Sequence, residues 1–420
     1  MHSERRTVQL GERRTPAFEP ISGAGELKVA FVVHSLAESG AELSLARTVE
    51  ARPEFADVTV FSVQDGPVAD RLRNAGAQVC ILSPTARRSR LGDILNRVPK
   101  LGKAVSATSA VMRLRSEFST SCFDVVVARS LPSALIVSAI SKRLAGTKVW
   151  SVHDRLATDY LKSEIWTFLL SRIFPKFFTG IIANSRATLD TIHISQSQNW
   201  LVVPPGIDVA AWNPADGGDY HESGATIFVV LGRISPWKGQ ELAIRAFHEV
   251  RLRNPETRLR IIGAPIFGEE GYLAELVALA SELDLLEHIS FEGHSSSPHE
   301  TLQGCHVLVH SSTVPEPFGS VVVEGMASGL VVIASGEGGP VEVIGSGENG
   351  FLYEPRSVSS LATAMQTVLN MDDASRRKMA QLGMQRASKF DIATLAHEQF
   401  VWLEGVSSGH GGSYLSSSLR

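Results

Sequence analysis

The chain has 420 residues, more than one ordinary hydrophobic core supports, so its length predicts two domains. Hydrophobic residues make up 44% and charged residues 20%, a globular composition that excludes a disordered or fibrous chain. The net charge of -4 at pH 7 argues against a general nucleic-acid binder, and we expect no nucleic-acid partner.

Residues 1–26 are polar, and Pro16 and Pro20 interrupt any helix, so this segment predicts a flexible leader. It contains no apolar stretch of signal-peptide length. Nowhere in the chain do about 18 apolar residues follow one another, which is the length that a membrane-spanning helix needs. We therefore expect a cytoplasmic protein.

Short apolar runs alternate with helical patterns through residues 27–205. The runs that predict buried strands are Lys28–His34, Asp57–Val63, Gln78–Leu82, Asp124–Ala128, Lys148–Val152, Gly180–Asn184 and Trp200–Val203. The patterns that predict helices between them include Ala41–Glu50, Val68–Ala75 and Ala134–Ala145. Such alternation predicts a parallel sheet covered by helices on both faces, which is an α/β domain.

A segment rich in proline, glycine and acidic residues, 206–224, predicts a linker. A second alternating series follows over residues 225–390 and predicts a second α/β domain. Its predicted strands are Thr226–Leu231, Arg258–Ile262, Ile289–Glu292, Val307–His310 and Val331–Ala334. Residues 391–405 predict an amphipathic helix, and the Gly/Ser-rich residues 406–420 predict a disordered tail.

The first chemical signal is Gly232-Arg233-Ile-Ser-Pro-Trp-Lys238-Gly239, at the end of a predicted strand and before a helix. Ligands of open α/β sheets bind at the carboxyl ends of strands, so both cations stand where a ligand is expected. A guanidinium fork and a compact ammonium both suit a diphosphate. For this fragment alone, the alternative is two solvated cations beside a turn.

The second signal is Glu316-Pro-Phe-Gly319-Ser320-Val-Val-Val-Glu324, which again follows a predicted strand. Gly319 lets the backbone approach an anion closely, and amides at a helix start bind phosphate oxygens. The two carboxylates, Glu316 and Glu324, would flank that point. Two alternatives apply to this fragment: Glu324 is an ordinary solvated helix charge, and the three valines favour a strand over a helix.

The two segments together resemble the motifs of the family-4 glycosyltransferases. The basic motif of that family reads G-R-x(4)-K-G and is matched by Gly232 to Gly239, and its E-x(7)-E motif is matched by Glu316 and Glu324. Five further segments match more weakly. They are Ser39-Gly40-Ala41-Glu42 at the glycine-rich first loop, Ser151-Val-His153-Asp154, Ala183-Asn184-Ser185 and Pro205-Gly206-Ile207-Asp208 at the end of the first domain, and Gly338-Gly339-Pro340 with Glu342. The resemblance runs from about Lys28 to Glu404.

The resemblance implies a GT-B fold, in which two Rossmann-like domains face a central cleft and the C-terminal helix completes the first domain. The first domain would bind the acceptor, and the second would bind a uridine, guanosine or adenosine diphosphate sugar. The reaction would move a hexose-type sugar, with retention at the anomeric carbon, to a glycan, glycolipid or small molecule. This activity suits polysaccharide or glycoconjugate biosynthesis.

The resemblance also implies roles for individual residues. Arg233 and Lys238 would stabilise the leaving diphosphate, Glu316 would hold sugar hydroxyls, and His153 would contact the sugar from the opposite domain. The donor-binding set would comprise Gly40, Gly232, Gly319, Ser320 and Glu324. The leaving phosphate itself would take the proton of the acceptor. No Asp-x-Asp motif occurs in the sequence, so we expect no metal and no cofactor beyond the sugar nucleotide.

Two segments bear on membrane contact. Residues 87–115 carry eight basic side chains and one acid, with leucine, isoleucine and valine spaced between them. They form either a basic amphipathic element that meets anionic lipid at the inner face of a membrane or, the interpretation that we favour, a solvated helix. The aromatic-rich residues 159–178 are interpreted as core or interdomain packing.

Two other functions compete with glycosyl transfer. A sugar-nucleotide epimerase can have the same fold, and fold alone does not exclude it. A non-catalytic sugar-nucleotide binding protein is the second alternative. The intact pairing of Arg233 and Lys238 with Glu316 and Glu324 favours transfer over both.

Overall fold

The computed structural model describes residues 26–82, 111–118, 122–140, 146–161, 163–212, 225–266, 268–295, 297–345 and 347–420. The predicted leader up to residue 25, the basic residues 87–110 and the linker residues 213–224 lie outside this part of the chain. The described residues form two parallel sheets with helices packed on them, which confirms the predicted α/β class.

The first sheet contains the strands of the first half of the chain and one strand from the C-terminus. Its strands are β1 Leu27–Val33, β2 Ala56–Ser62, β3 Gln78–Ile81, β4 Val125–Ala128, β5 Thr147–Val152, β6 Gly180–Ala183, β7 Asn199–Val202 and β14 Ser413–Leu415. Their order across the sheet is β14-β7-β6-β5-β4-β1-β2-β3, and all neighbours are parallel.

Helices connect these strands. They are α1 Gly40–Glu50, α2 Val68–Asn74, α3 at 111–118, α4 Leu131–Ile140, α5 Thr158–Leu161, α6 Glu164–Phe168, α7 Arg186–Leu189 and α8 Val209–Trp212. A π-helical turn, Leu169–Ile173, and a 3-10 turn, Phe174–Phe177, follow α6 directly. β1 and β4 are buried almost throughout, because helices cover the sheet on both faces.

The second sheet has the order β10-β9-β8-β11-β12-β13, also with parallel neighbours. Its strands are β8 Ile227–Leu231, β9 Arg258–Ile262, β10 Ile289–Gly293, β11 Val307–His310, β12 Val331–Ser335 and β13 Phe351–Tyr353. The helices around it are α9 Gln240–Arg251, α10 Glu270–Glu282, α11 Pro298–Thr301, α12 Ser320–Ala327, α13 Pro340–Ile344, α14 Val358–Asn370 and α15 Asp373–Ser388.

The three valines after Ser320 lie in helix α12, although their intrinsic preference is for a strand. Gly319 precedes the helix with φ +87° and ψ +60°, a left-handed conformation that turns the chain sharply after Phe318. Val322, Val323 and Met326 are then buried against the second sheet. Burial of this apolar face outweighs the local preference, so the helical alternative is correct.

The prediction of a disordered tail over residues 406–420 is wrong. The last helix, α16 Ile392–Ser407, ends inside that range, and β14 then pairs with β7 at the edge of the first sheet. The indole Nε1 of Trp402 donates to the carbonyl of Gly412 at 3.0 Å, and Arg386 Nη1 donates to the carbonyl of Ser418 at 2.7 Å. The edge of β7 offers unpaired backbone groups that the short strand satisfies.

The chain passes between the two halves at two neighbouring points. The amide of Ile207 donates to the carbonyl of Phe390 at 3.0 Å, and the amide of Ile392 donates to the carbonyl of Ile207 at 2.9 Å. Beyond this point α16 packs on the first sheet, where the rings of Phe31 and Phe400 lie 6.3 Å apart. We expect the paired crossings to form the hinge for motion of one half against the other.

Within the described ranges, no helix combines the length and the apolar character that crossing a bilayer requires.

Candidate active site

The basic motif lies at the carboxyl end of β8, the strand beside the middle of the second sheet. Arg233 and Lys238 are both partly buried, and both lie close to the indole of Trp237. The Lys238 Nζ lies 4.3 Å from the indole centroid and the Arg233 Cζ lies 5.5 Å from it, both within cation–π range. The motif thus brings its two cations together on one aromatic platform, which the sequence analysis did not identify.

Two glycines shape this loop. Gly232 has φ +140° and directs the chain away from the strand. Gly239 has φ +70°, and a Cβ there would lie 2.0 Å from the carbonyl oxygen of Ser311, the residue after β11. Only glycine therefore lets the basic motif lie directly against the loop that carries Glu316.

Lys238 and Glu316 form a largely buried ion pair across the two loops. The ammonium contacts both carboxylate oxygens, at 2.9 and 2.8 Å, and the two side chains are 18% and 12% exposed. Glu316 also accepts a hydrogen bond from Ser312 Oγ at 2.8 Å and lies 3.4 Å from His310 Nε2. Burial opposes ionisation of Glu316, but the charge of Lys238 and the hydrogen bond and charge of His310 together outweigh it, so its pKa lies well below the usual range.

The lowered pKa of Glu316 predicts how stability depends on pH. A carboxylate whose folded pKa is depressed stabilises the fold above its unfolded pKa of about 4.3, and this contribution is lost as the pH falls toward the folded pKa. The difference in free energy of unfolding between wild type and Glu316→Gln should therefore shrink by about 1 kcal/mol between pH 5 and pH 3.5. Urea titrations at the two pH values measure it, and an unchanged difference would contradict the assignment.

The rest of the glutamate motif lies on helix α12. Ser320 begins the helix, directly after Gly319, and Glu324 lies one turn further along. Burial raises the pKa of Glu324, and the charges of Arg47 and Lys238 oppose this effect. Because Arg47 lies on α1 of the first half, Glu324 faces the opposite domain as well as the basic motif.

The wall of the first half is formed where β1, β4 and β5 end. Gly40 begins α1 beyond β1, and a Cβ at Gly40 would meet no described atom within 4 Å. His153 follows β5, and its ring Nε2 lies 3.0 Å from Ser151 Oγ. Burial and the nearby charge of Arg129 hold the pKa of His153 well below the usual histidine value, so its ring is neutral at pH 7.

Arg129 is a further residue of this wall that the sequence analysis missed. It follows β4 directly and is 5% exposed, and its Nη2 lies 3.3 Å from both the carbonyl oxygen of Ala41 and Ser44 Oγ. Burial lowers its pKa to about 10, with Glu42 opposing and Arg47 adding to the effect. Its position just after a predicted strand was the available signal, because cations at strand ends mark ligand sites.

Glu342 connects the two halves near the site. Its Oε2 accepts a hydrogen bond from the amide of Arg186 at 2.8 Å and its Oε1 from the amide of Ala187 at 2.7 Å. These amides form the start of α7 in the first half, where an anion is favoured by the helix dipole. Burial raises the pKa of Glu342, against the two amide hydrogen bonds. Glu342 therefore forms a contact between the two halves.

The structure thus brings Arg233, Lys238, Glu316 and Glu324 together at the carboxyl ends of the second sheet. Gly40 and His153 lie at the carboxyl ends of the first sheet, and Arg47, electrostatically close to Glu324, connects the two walls. The region between the halves therefore contains cations, which suit phosphates, and carboxylates, which suit hydroxyl groups. This chemistry fits a negatively charged, hydroxyl-rich ligand.

Comparison with known families covers both halves of the chain. The model described as Glycosyltransferase Family 4 matches residues 68–211, and the model described as Glycosyl transferases group 1 matches residues 220–386. The first match lies in the first sheet and its helices, and the second includes both motifs of the candidate site.

Curated relatives are similar to parts of the chain. A Mycolicibacterium smegmatis GDP-mannose-dependent phosphatidylinositol monomannoside mannosyltransferase is 30% identical over 43% of this chain and 49% of its own. A Campylobacter jejuni N-acetylgalactosaminyltransferase that acts on a diphospho-undecaprenol is 26% identical over 64% and 73%. A phosphatidyl-myo-inositol mannosyltransferase of M. smegmatis is 26% identical over 81% and 88%. The chain spans about half the length of the first of these relatives.

Solved structures confirm the GT-B fold. Anabaena HepE, in complex with UDP-glucose, superposes with a TM-score of 0.74 at 24% identity, over 91% of this chain and all of that one. Sucrose-phosphate synthase of Thermosynechococcus elongatus gives 0.73 at 17% identity over the same shares. The family matches in both halves, the shared architecture and the two intact motifs agree, and the chain belongs to the family-4 glycosyltransferases.

Proposed function

We propose that this chain transfers a hexose-type sugar from a nucleoside diphosphate donor to a glycan, glycolipid or small-molecule acceptor, with retention at the anomeric carbon. The observation that carries the proposal is the pair Arg233 and Lys238, two cations at the carboxyl end of β8 that share the ring of Trp237. A leaving diphosphate develops negative charge as the sugar departs, and fixed cations stabilise that charge.

In this proposal the residues of each half have a separate role. Lys238 has three N–H donors, so one remains for a phosphate oxygen even if two are used on Glu316. The Glu316 carboxylate accepts hydrogen bonds from sugar hydroxyls, and Glu324, partly buried nearby, accepts them from the ribose. The neutral ring of His153 faces the sugar from the first half. Gly40, Gly232 and Gly319 let the backbone approach the donor closely, and the amide of Ser320 at the start of α12 donates to a phosphate oxygen.

The reaction breaks the bond between the anomeric carbon and the diphosphate oxygen and forms a bond from that carbon to the acceptor oxygen. The proton of the acceptor hydroxyl moves to the leaving phosphate. This route requires no protein base near the acceptor, and the lowered pKa of His153 makes it a poor one. The protein contributes charge stabilisation and positioning instead.

The relatives suggest donors and acceptors to examine. One is named as using GDP-mannose, and others are named for phosphatidylinositol or diphospho-undecaprenol acceptors. We therefore propose a lipid-linked or otherwise phosphorylated carbohydrate as the acceptor class. A cytoplasmic location, where sugar nucleotides are made, belongs to the same proposal.

The test begins with a thermal-shift screen of UDP-, GDP- and ADP-sugars, since a donor at a hundred times its Kd adds about 2.7 kcal/mol of stability. The donor that stabilises the chain is then incubated with phosphoinositol and polyprenyl-diphosphate sugars. NMR of the product should show the anomeric configuration of the donor. A product of inverted configuration would contradict retention. An epimerised donor without transfer would indicate an epimerase, and donor binding without turnover would indicate a non-catalytic binding protein.

Transfer should also be independent of divalent metal. Arg233 and Lys238 would supply the positive charge, and the described residues contain no group of three His, Cys, Asp or Glu side chains placed to hold an ion. The initial rate should therefore be unchanged after dialysis against EDTA. Loss of activity in EDTA that returns with Mg²⁺ or Mn²⁺ would refute this.

A further inference from the structure

One face of the first sheet is covered by a single helical layer, formed by α3, α4 and the helical segment 164–177. Buried residues from each of these elements, including Leu114, Val137 and Phe174, share one apolar cluster with the sheet. We call these three elements the outer layer. Its inner side is an ordinary core, in which the rings of Trp150 and Phe174 lie 5.2 Å apart.

The other side of the outer layer exposes large apolar side chains. Six come from the segment 164–177: Ile165, Trp166, Phe168, Leu169, Ile173 and Phe177. Ile165 is 73% exposed and Trp166 is 60% exposed. Met112 on α3 and Leu135 on α4 add two more, while six such residues are distributed over the whole second half of the described chain. Clustered exposure of this kind marks an interaction surface.

This finding corrects the interpretation of residues 159–178 as packing. Phe174 and Phe178 are buried as expected, but Trp166, Phe168 and Phe177 face outward. The segment turns through a π-helical stretch, Leu169–Ile173, and a 3-10 turn. Aromatic and aliphatic side chains are therefore displayed on the outside of a helical segment that already has a complete inner contact.

The charge of the outer layer is opposite in sign to that of the whole chain. Its basic side chains Arg113, Arg115, Arg172 and Lys176 are exposed, against the two acids Glu117 and Glu164. From residue 165 to residue 189 the sequence contains no acid at all. The chain as a whole has a net charge of -4. The exposed apolar groups thus lie among cations in an otherwise acidic protein.

The layer also lies beside the candidate site. The chain leaves β5 at its carboxyl end, passes His153, enters α5 and α6, and reaches the opposite edge of the sheet at Gly180, where β6 begins. Because β5 and β6 are parallel, the start of this connection lies at the site edge. Ile165 and Trp166 therefore belong to the part of the layer nearest to the ends of the strands that carry the site.

We propose that the outer layer docks on the surface of an anionic lipid bilayer. Aromatic and aliphatic side chains flanked by Arg and Lys favour the boundary between headgroups and acyl chains, where the apolar groups insert and the cations meet lipid phosphates. A second copy of this chain is the poorer occupant, since a symmetric dimer would bring two positively charged layers face to face. The proposal goes beyond sugar transfer, because docking requires neither donor nor acceptor.

The experiment is flotation of the full chain with vesicles of phosphatidylcholine containing 0 or about 40% phosphatidylglycerol, at low and moderate salt. Wild type should float with the anionic vesicles and much less with neutral ones. Trp166→Glu/Phe168→Glu should lower the partition coefficient at least tenfold, and Arg172→Glu/Lys176→Glu should lower it about tenfold. Leu252→Glu/Leu286→Glu, equally apolar and exposed on the second half, is the matched control and should float like wild type.

Circular dichroism of each variant and static light scattering without vesicles separate docking from misfolding and from dimer formation. Folded variants that lose flotation while the control retains it support the proposal. Wild type that fails to float with anionic vesicles at low salt overturns it, as does flotation that the outer-layer changes do not reduce. A wild-type dimer that Trp166→Glu/Phe168→Glu converts to a monomer, without vesicle binding by either, would assign the layer to self-association instead.

Discussion

Lys238→Met is expected to lower the rate of sugar transfer by about two to three orders of magnitude, the loss measured when one stabilising donor is removed from a developing oxyanion. The geometry gives the reason, because Lys238 contacts Glu316 and Trp237 and so has a fixed position from which to meet a phosphate. A stopped assay of nucleoside diphosphate release measures the effect.

The same change also leaves Glu316 buried without its main counter-charge, which costs about 3–5 kcal/mol in comparable buried pairs. The effect of Lys238→Met on catalysis must therefore be distinguished from its effect on stability. Lys238→Met/Glu316→Met removes both charges and should recover most of the stability while transfer stays low. Arg245→Met is the matched control, because Arg245 lies on α9 in an exposed pair with Glu241 and should change neither property appreciably. Full activity of Lys238→Met would contradict the proposed role.

Much of the fold could be predicted because parallel strands buried on both faces are continuous apolar runs. β1, β4, β8, β11 and β12 all have this character, and each was predicted within about two residues. The motif residues could also be placed, since Arg233 and Glu316 each follow such a strand. Local pattern was sufficient wherever one strand and the loop after it decided the geometry.

The remaining features depend on contacts between distant parts of the chain. β14 has three residues and serine-rich flanks, and only the open edge of β7 makes it a strand. A hydrogen bond to α1 positions Arg129, and hydrogen bonds from the amides of α7 position Glu342. The outward direction of Trp166 follows from which face of its helical segment the sheet already covers. None of these partners is close in sequence, so no local pattern reports them.

The second large effect is expected at the contact between the halves. Glu342→Ala removes a carboxylate that accepts hydrogen bonds from the amides of Arg186 and Ala187. Hydrogen bonds to a charged group contribute about 1.5–3 kcal/mol each, so the closed arrangement should weaken by about 3 kcal/mol in total. The neighbouring hydrogen bond from Thr188 Oγ1 to the carbonyl of Pro317 is longer, at 3.4 Å.

Because the proposed donor site takes residues from both halves, a less populated closed form should lower kcat/KM for transfer about ten- to hundredfold. Small-angle X-ray scattering should show a larger radius of gyration for Glu342→Ala than for wild type. Glu342→Gln retains one acceptor oxygen and should fall between them. Glu348→Ala, at an exposed glutamate just beyond α13, is the control and should match wild type. If Glu342→Ala left both the radius and kcat/KM unchanged, the two amide contacts would not be what holds the halves together, and closure would have to depend on the donor alone.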